Sequence, residues 1–277
     1  MTAQPSARGD VAVVVPAAGA GVRLGPGAPK ALRLLDGEPL LVHAIRRIAA
    51  APSVAMIVVA APPADVDAVR SLLADVAPVT GDAGRPVASV AGGAGPSVAS
   101  VAGGAGLPVA SVAGGAGRRV ASVTVVAGGA ERQESVAAAL AVVPPSLPIV
   151  LVHDAARCLT PVSVFERVAA AVRDGADAVI PVLPVVDTIK EVDAEERVLG
   201  TVDRSVLRAV QTPQGFRASV LRAAHAAAAD SHTDDAGAVE KLGRPVRCVP
   251  GSDLALKITR PIDLAVAAHL LTLPEQP

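Results

Sequence analysis

The chain has 277 residues, 25 of them basic and 26 acidic, and it is 51% hydrophobic but only 1% aromatic. A net charge of −1 excludes the basic footprint expected of a duplex-DNA or anionic-membrane binder, and two Phe without Trp or Tyr exclude a base-stacking platform for single strands. Two cysteines, Cys158 and Cys248, exclude a disulfide framework and a structural zinc site and read as free thiols.

Taken in order, apolar runs alternate with amphipathic stretches. Residues 1–9 are polar and lack the apolar run of a signal peptide, so a cytoplasmic protein is expected. Strands are predicted at 11–15, 55–60, 122–127, 149–152, 178–182 and 246–249. Helices are predicted at 40–50, 64–74, 131–142, 162–173, 218–229, 234–242 and 262–270. Pro161 and Pro261 sit where a first helical turn accepts proline, with Thr160 as the expected N-cap of the former helix. Short β-rich runs separated by helices predict a mostly parallel sheet covered on both faces, with ligands beyond the C-terminal strand ends. Residues 184–211 break the rhythm and read as a β-hairpin arm, which needs a surface to pack on; a second subunit is the natural one.

A repeat interrupts the pattern. Val-Ala-Ser-Val begins at Val87, Val98, Val109 and Val120, and only the last copy continues into a strand-length β-branched run and a helix. Residues 86–117 hold nine Gly, three Pro and no large side chain except Leu107, too little apolar bulk for a spanning helix or a packed solenoid. Residues 84–119 therefore read as a low-complexity duplication inserted in one domain, 10–277.

After the first strand comes Pro16-Ala-Ala-Gly-Ala-Gly-Val-Arg23, followed by Leu24-Gly-Pro-Gly-Ala-Pro-Lys30. Small residues let backbone N–H groups close on phosphate oxygens. Leu24 stands where the dinucleotide fingerprint needs Gly, and no P-loop motif occurs. The loop instead adds two cations, Arg23 and Lys30. With 21 Arg, the chain keeps only Lys30, Lys190, Lys241 and Lys257, so a retained lysine near such a loop suggests a compact phosphate-binding charge.

Further pieces follow: Ala127-Gly-Gly-Ala-Glu-Arg132 with Ser135, Val152-His-Asp-Ala-Ala-Arg157, Pro184-Val-Val-Asp-Thr-Ile-Lys190 and Thr201-Val-Asp-Arg204. The last are Gln211-Thr-Pro-Gln214, Thr233-Asp-Asp235 and Leu256-Lys-Ile-Thr-Arg-Pro261. Together with the glycine-rich loop, and in this order, they make the chain resemble the 2-C-methyl-D-erythritol 4-phosphate cytidylyltransferase family. The resemblance implies a Rossmann-like α/β sheet, a homodimer and a Mg2+-dependent reaction of CTP with a polyol phosphate. By the same resemblance Ala17, Ala18, Gly19, Gly21, Gly129 and Ser135 line the cytidine pocket, with Asp154, Ala155 and Arg157 nearby. Arg23, Lys30 and Lys257 match the cations around the reacting phosphorus, and Arg204, Thr212 and Thr233 match the substrate-phosphate site. Thr188 and Arg204 lie on the arm that reaches into the partner subunit.

The residue types suit that chemistry. The nucleophile is an ionised phosphate, so cationic stabilisation and positioning are needed and a general base is not. His153 reads as a hydrogen-bonded core residue, and Asp187, Lys190 and Asp203 as structural groups of the arm. Ala130 stands where the family often has Asp, and Cys158 where it has Pro. The alternatives are a cytidylyltransferase for another polyol phosphate, such as ribitol 5-phosphate, or a non-catalytic nucleotide-binding module. From the length, a second fused catalytic domain is not expected.

Overall fold

The computed structural model describes residues 9–19, 21, 24–25, 27–76, 79–80, 121–227 and 234–273. The 84–119 insert, Arg23 and Thr233 lie outside the described residues.

The elements follow in chain order. The first strand, β1 (Val11–Pro16), leads through the glycine-rich loop to a tight hairpin, β2 (Leu34–Leu35) and β3 (Glu38–Pro39), then α1 (Leu40–Ala50), β4 (Val54–Ala61) and α2 (Val66–Leu73). Next come β5 (Val79–Thr80), β6 (Ser122–Ala127), α3 (Arg132–Val142), β7 (Ile149–Val152), α4 (Val162–Arg173) and β8 (Ala178–Pro184). The arm strands β9 (Ile189–Val192) and β10 (Val198–Val202) precede β11 (Arg208–Val210), β12 (Gln214–Arg217), α5 (Ala218–Ala227), α6 (Asp235–Lys241), β13 (Val246–Pro250) and α7 (Pro261–Thr272).

A nine-stranded sheet runs β11-β8-β12-β7-β1-β4-β6-β5, with β13 added on β8. The pairings of β1 with β4 and β7, of β6 with β4 and β5, and of β13 with β8 are parallel; β12 and β11 pair antiparallel. Because strand side chains alternate, Val11, Val13 and Val15 enter one apolar cluster and Ala12 and Val14 the other. Leu41, Ile45 and Ile48 of α1 and Phe165 and Val168 of α4 fill the first cluster. Val136 and Leu140 of α3, Leu221 of α5 and Val239 of α6 fill the second. Both faces are thus covered, as the run Val-Ala-Val-Val-Val requires.

The predicted strands and helices are present, with ends shifted by a few residues; the expected helix at 64–74 is shorter, preceded by a 3-10 turn at Pro63–Asp65. Thr160 is not the N-cap of α4: Pro161 occupies that position without a side-chain cap, and the Thr160 hydroxyl donates to the Arg157 carbonyl at 2.8 Å. That bond closes the turn after β7. The arm is a two-stranded antiparallel hairpin, outside the main sheet, in which Lys190 Nζ donates to Thr201 Oγ1. Asp203 accepts from the Ser205 N–H at its base.

Candidate active site

The site forms where β1, β6 and β7 release their chains at the C-terminal edge of the sheet. A cavity of about 180 Å³ is lined by Pro16, Ala17, Ala18 and Gly19 from the first loop, with Lys30 and Ala31 beyond it. Gly129, Ala130, Glu131, Arg132 and Ser135 come from the second loop, and Asp154, Ala155, Ala156 and Lys257 complete the lining.

Backbone bonds hold these loops on the strand ends. Ala17 N–H donates to Ala60 O at 2.8 Å, Gly128 N–H to Ala61 O at 2.7 Å and His153 N–H to Val14 O at 2.8 Å. The glycine-rich loop folds back on itself through Lys30 N–H to Gly19 O at 3.3 Å. Gly21 has φ +70°, and a Cβ there would sit 2.5 Å from Lys30 Cβ, so only glycine lets the loop close against Lys30. Gly128 is pinched in the same way: its Cβ would meet Ala18 Cβ at 2.7 Å and Ser135 Oγ at 2.8 Å. The second loop enters α3 through a capping box between Glu131 and Glu134. Ser135 Oγ accepts from Gly129 N–H and donates to Glu131 O, both at 3.1 Å. That hydroxyl shapes the loop.

Asp154 is the electrostatic centre. Lys257 Nζ lies 2.7 Å from its Oδ2 and Arg132 Nε 3.5 Å from its Oδ1. Burial would raise the pKa of this carboxyl, but the charges of Arg132 and Lys257 and the Lys257 hydrogen bond hold it well below the usual carboxylate range. Asp154 is therefore ionised at neutral pH, between two cations. Burial alone would lower the Arg132 pKa, and Asp235 and Asp154 reverse it, so this guanidinium stays charged.

The residues expected from the sequence divide by position. Ala17, Ala18, Gly19, Lys30, Gly129, Ser135, Asp154, Ala155 and Lys257 line one cavity. Gly21 lies beside it, shaping the turn. Arg157 points elsewhere: its Nη1 donates to Ala255 O at 2.6 Å and its Nη2 to Val210 O at 3.1 Å. Thr212 is buried behind the site, with its Oγ1 accepting from Asp154 N–H at 3.0 Å and 3.1 Å from His153 Nδ1. Thr188 and Arg204 are exposed on the arm, where Arg204 donates to Val186 O. They do not reach the cavity within one chain. His153 is the core residue expected: it is buried, tilted against Phe165 with ring centroids 4.8 Å apart. Arg132 is the cavity cation that the sequence reading did not select. Its place in the second loop, three residues before Ser135, was visible; its pairing with Asp154 was not.

Comparisons with known proteins bear on the family and the fold. The family model described as 2-C-methyl-D-erythritol 4-phosphate cytidylyltransferase matches residues 11–108 and 108–273, the two pieces meeting inside the repeat. A protein of that name from Frankia casuarinae is 48% identical over 96% of this chain and 83% of its own length. One from Streptomyces avermitilis is 45% identical, over 94% of this chain and 91% of the relative. The solved structure of the enzyme of that name from Thermus thermophilus is 32% identical and superposes with a TM-score of 0.65, covering 95% of this chain and 98% of that one.

Proposed function

The chain belongs to the 2-C-methyl-D-erythritol 4-phosphate cytidylyltransferase family, and on that premise we propose how its residues carry out the transfer. It is a nucleotidyltransferase of isoprenoid precursor biosynthesis, joining the cytidylyl group of CTP to 2-C-methyl-D-erythritol 4-phosphate. A phosphate oxygen of the acceptor attacks the α-phosphorus of CTP in line. One P–O bond forms, the bond to the β-phosphate oxygen breaks, and pyrophosphate leaves with the electron pair.

The observation that carries the residue assignment is the meeting of a glycine-rich loop, Lys30 and the Lys257–Asp154 pair around one cavity at the strand ends. Ala17, Ala18, Gly19, Gly129, Ser135 and Ala155 receive the nucleoside, where their small side chains leave room. Lys30 and Lys257, with Arg23 of the same loop, take up the charge that spreads over the phosphate oxygens during attack. Neither substrate needs deprotonation, so catalysis rests on positioning and positive charge.

Mg2+ belongs to this reading as a partner of the triphosphate. Among the described residues no group of three or more His, Cys, Asp or Glu could cage a metal ion. With both Asp154 oxygens facing Lys257 and Arg132, the donor set fits a cation held by nucleotide oxygens. Bound there, Mg2+ would supply neutralisation of phosphate charge.

The arm supports a homodimer. Val186 and Val206, flanking the base of the hairpin, are 78% and 74% exposed, and Val198 and Leu199 towards its tip are exposed as well, apolar surface that a second subunit would cover. Thr188 and Arg204 on that arm would then complete the acceptor-phosphate site of the other subunit, together with Thr233, while Thr212, buried behind the site, holds the Asp154 backbone. No helix among the described residues is long and apolar enough to cross a membrane. The reading is of a cytoplasmic enzyme with one domain, 10–277, an insert at 84–119 and an arm at 184–211.

The test is pyrophosphate release from CTP and Mg2+ with methylerythritol phosphate, ribitol phosphate or no acceptor. Release with methylerythritol phosphate, lost in Lys30→Ala, supports the assignment. Release only with ribitol phosphate would move the enzyme to another pathway, and binding of CTP without release would make it a nucleotide-binding module.

A further inference from the structure

The charged groups of the active site continue into the protein behind Arg132. Its Nη1 lies 2.7 Å from Asp235 Oδ2, at the start of α6, while its Nε faces Asp154. Asp235 is almost wholly buried, 3% exposed, and His225 Nε2 of α5 donates to its other oxygen at 3.0 Å. The His225 side chain is itself 8% exposed. A small cavity lined by Arg132, Gln133, His225, Asp234, Asp235 and Ala238 lies around this contact. The result is one line of alternating partners, Lys257–Asp154–Arg132–Asp235–His225, drawn from five separate stretches of chain.

A buried carboxylate is costly unless it is paired, and Asp235 spends its oxygens on Arg132, which lines the active-site cavity, and on His225 of α5 rather than on capping its own helix. Asp234, its neighbour, does the capping, accepting from Gly237 N–H. Asp235 thus joins α3 and α5 to the start of α6, and through Arg132 its charge bears on the active-site carboxylate.

We propose that Asp235, supported by His225, is a positioning residue for the cytidylyl transfer, holding the Arg132 guanidinium so that Arg132 and Lys257 share Asp154. The proposal rests on the reading above that Lys257 serves the triphosphate. Lys257 is 2.7 Å from Asp154, and sharing its three donors with a phosphate weakens its neutralisation of that carboxylate. Asp154 would then stand in the cavity as a negative charge facing an anionic nucleotide. Arg132, anchored from behind, stays as its counter-ion and makes the hand-over of Lys257 electrostatically feasible. Without the anchor the guanidinium can swing into the cavity. The site keeps, or gains, positive charge for binding the nucleotide and loses the geometry needed for attack.

This predicts a split between binding and turnover. Asp235→Asn keeps the side-chain shape and removes the charge that fixes Arg132. Folded Asp235→Asn should show a KM for CTP that does not rise and a kcat lower by about 10-fold or more, the scale of effect that sub-ångström to 1 Å misplacement produces. His225→Phe keeps a ring and removes the second contact to Asp235; it should lower kcat in the same sense by a smaller factor, and it tests the idea should the Asn variant not fold. In a cycle with Arg132→Lys, the double variant should lose little more than Arg132→Lys alone, because both changes act through one guanidinium.

A folded Asp235→Asn enzyme with kcat within about twofold of the parent, or losses that simply add in the cycle, would overturn the proposal. So would a rise in KM for CTP at unchanged kcat, which would mean that Asp235 serves ground-state binding alone. The parent enzyme separates this from the reaction itself: if it releases no pyrophosphate from CTP and acceptor, the reading of the reaction fails and the proposal falls with it.

Discussion

Replacing His153 by Asn should remove an acid-sensitive part of the protein's stability. His153 is 1% exposed at the end of β7, stacked at an angle on Phe165, with Nδ1 3.1 Å from the Thr212 hydroxyl. Burial pushes its imidazole from 6.5 down to about 4, opposed by the nearby Asp154 charge and assisted by Arg157. Between those two values the unfolded chain binds a proton that the folded chain refuses. Stability from this residue is therefore complete above pH 6.5 and is lost as the pH falls from 6.5 towards 4. At roughly 1.4 kcal/mol per pH unit the loss over that window is about 3 kcal/mol, a large share of the ~5–15 kcal/mol that holds a domain together. Asn can still face Thr212 with an amide, but it does not titrate. It leaves unfilled volume beside Phe165, a cost of roughly 1–3 kcal/mol that is the same at every pH. Urea unfolding of both proteins from about pH 7.5 to about pH 4.5 measures the difference. The parent should lose its advantage over the variant by about 2–3 kcal/mol across that range. Asp154 and Asp235, whose pKa values are lowered from 3.8, contribute only at more acidic pH and do not mask the effect. Parallel pH profiles for parent and variant would refute the account of a buried neutral imidazole.

Three further outcomes test the site and its surroundings. Lys30→Ala should lower kcat by about 10²–10³ with the thermal transition unchanged, read from pyrophosphate release, since a single lost oxyanion-stabilising group has that cost elsewhere. Val206→Asp, at an arm residue that is 74% exposed, should shift the protein from dimer to monomer in light scattering; an unchanged mass would take Val206 out of the interface. Deleting residues 84–116, the first three repeat units, should leave turnover and dimerisation intact, and a large drop in turnover would give the insert a function.

The frame of the fold could be read from the sequence wherever local pattern and tertiary role coincide. Residues 11–15 are uniformly apolar because β1 lies between β4 and β7 with helices on both faces, so every side chain meets a core. The strand β12 carried no such signal. Gln214-Gly-Phe-Arg217 is short and polar, and it is a strand only because it slots antiparallel between β7 and β8. There Gln214 is buried and satisfied at long range, its Nε2 donating to Asp234 and its Oε1 accepting from Ala236 N–H. The small hairpin β2–β3 was legible in principle: Asp36 and Gly37 have φ of 50° and 78°, the Asp-Gly turn that two-residue hairpins favour.

The site divides along the same line. The run of small residues after β1 marks a phosphate-binding turn, and the family resemblance assigns Ala17 to Gly19 and Gly129 to the pocket they line. Charged side chains were harder, because a guanidinium reaches partners far along the chain. Arg132 bonds Asp235, 103 residues away, and nothing local announces it. Arg157 shows the converse. Its motif suggests nucleotide binding, yet burial lowers its pKa and it spends its donors on the carbonyls of Ala255 and Val210. Those contacts tie the turn after β7 to the segment that presents Lys257 and to β11 at the base of the arm. An arginine so placed couples the segment that carries Lys257 to the strand at the base of the arm, and its loss should disturb both together.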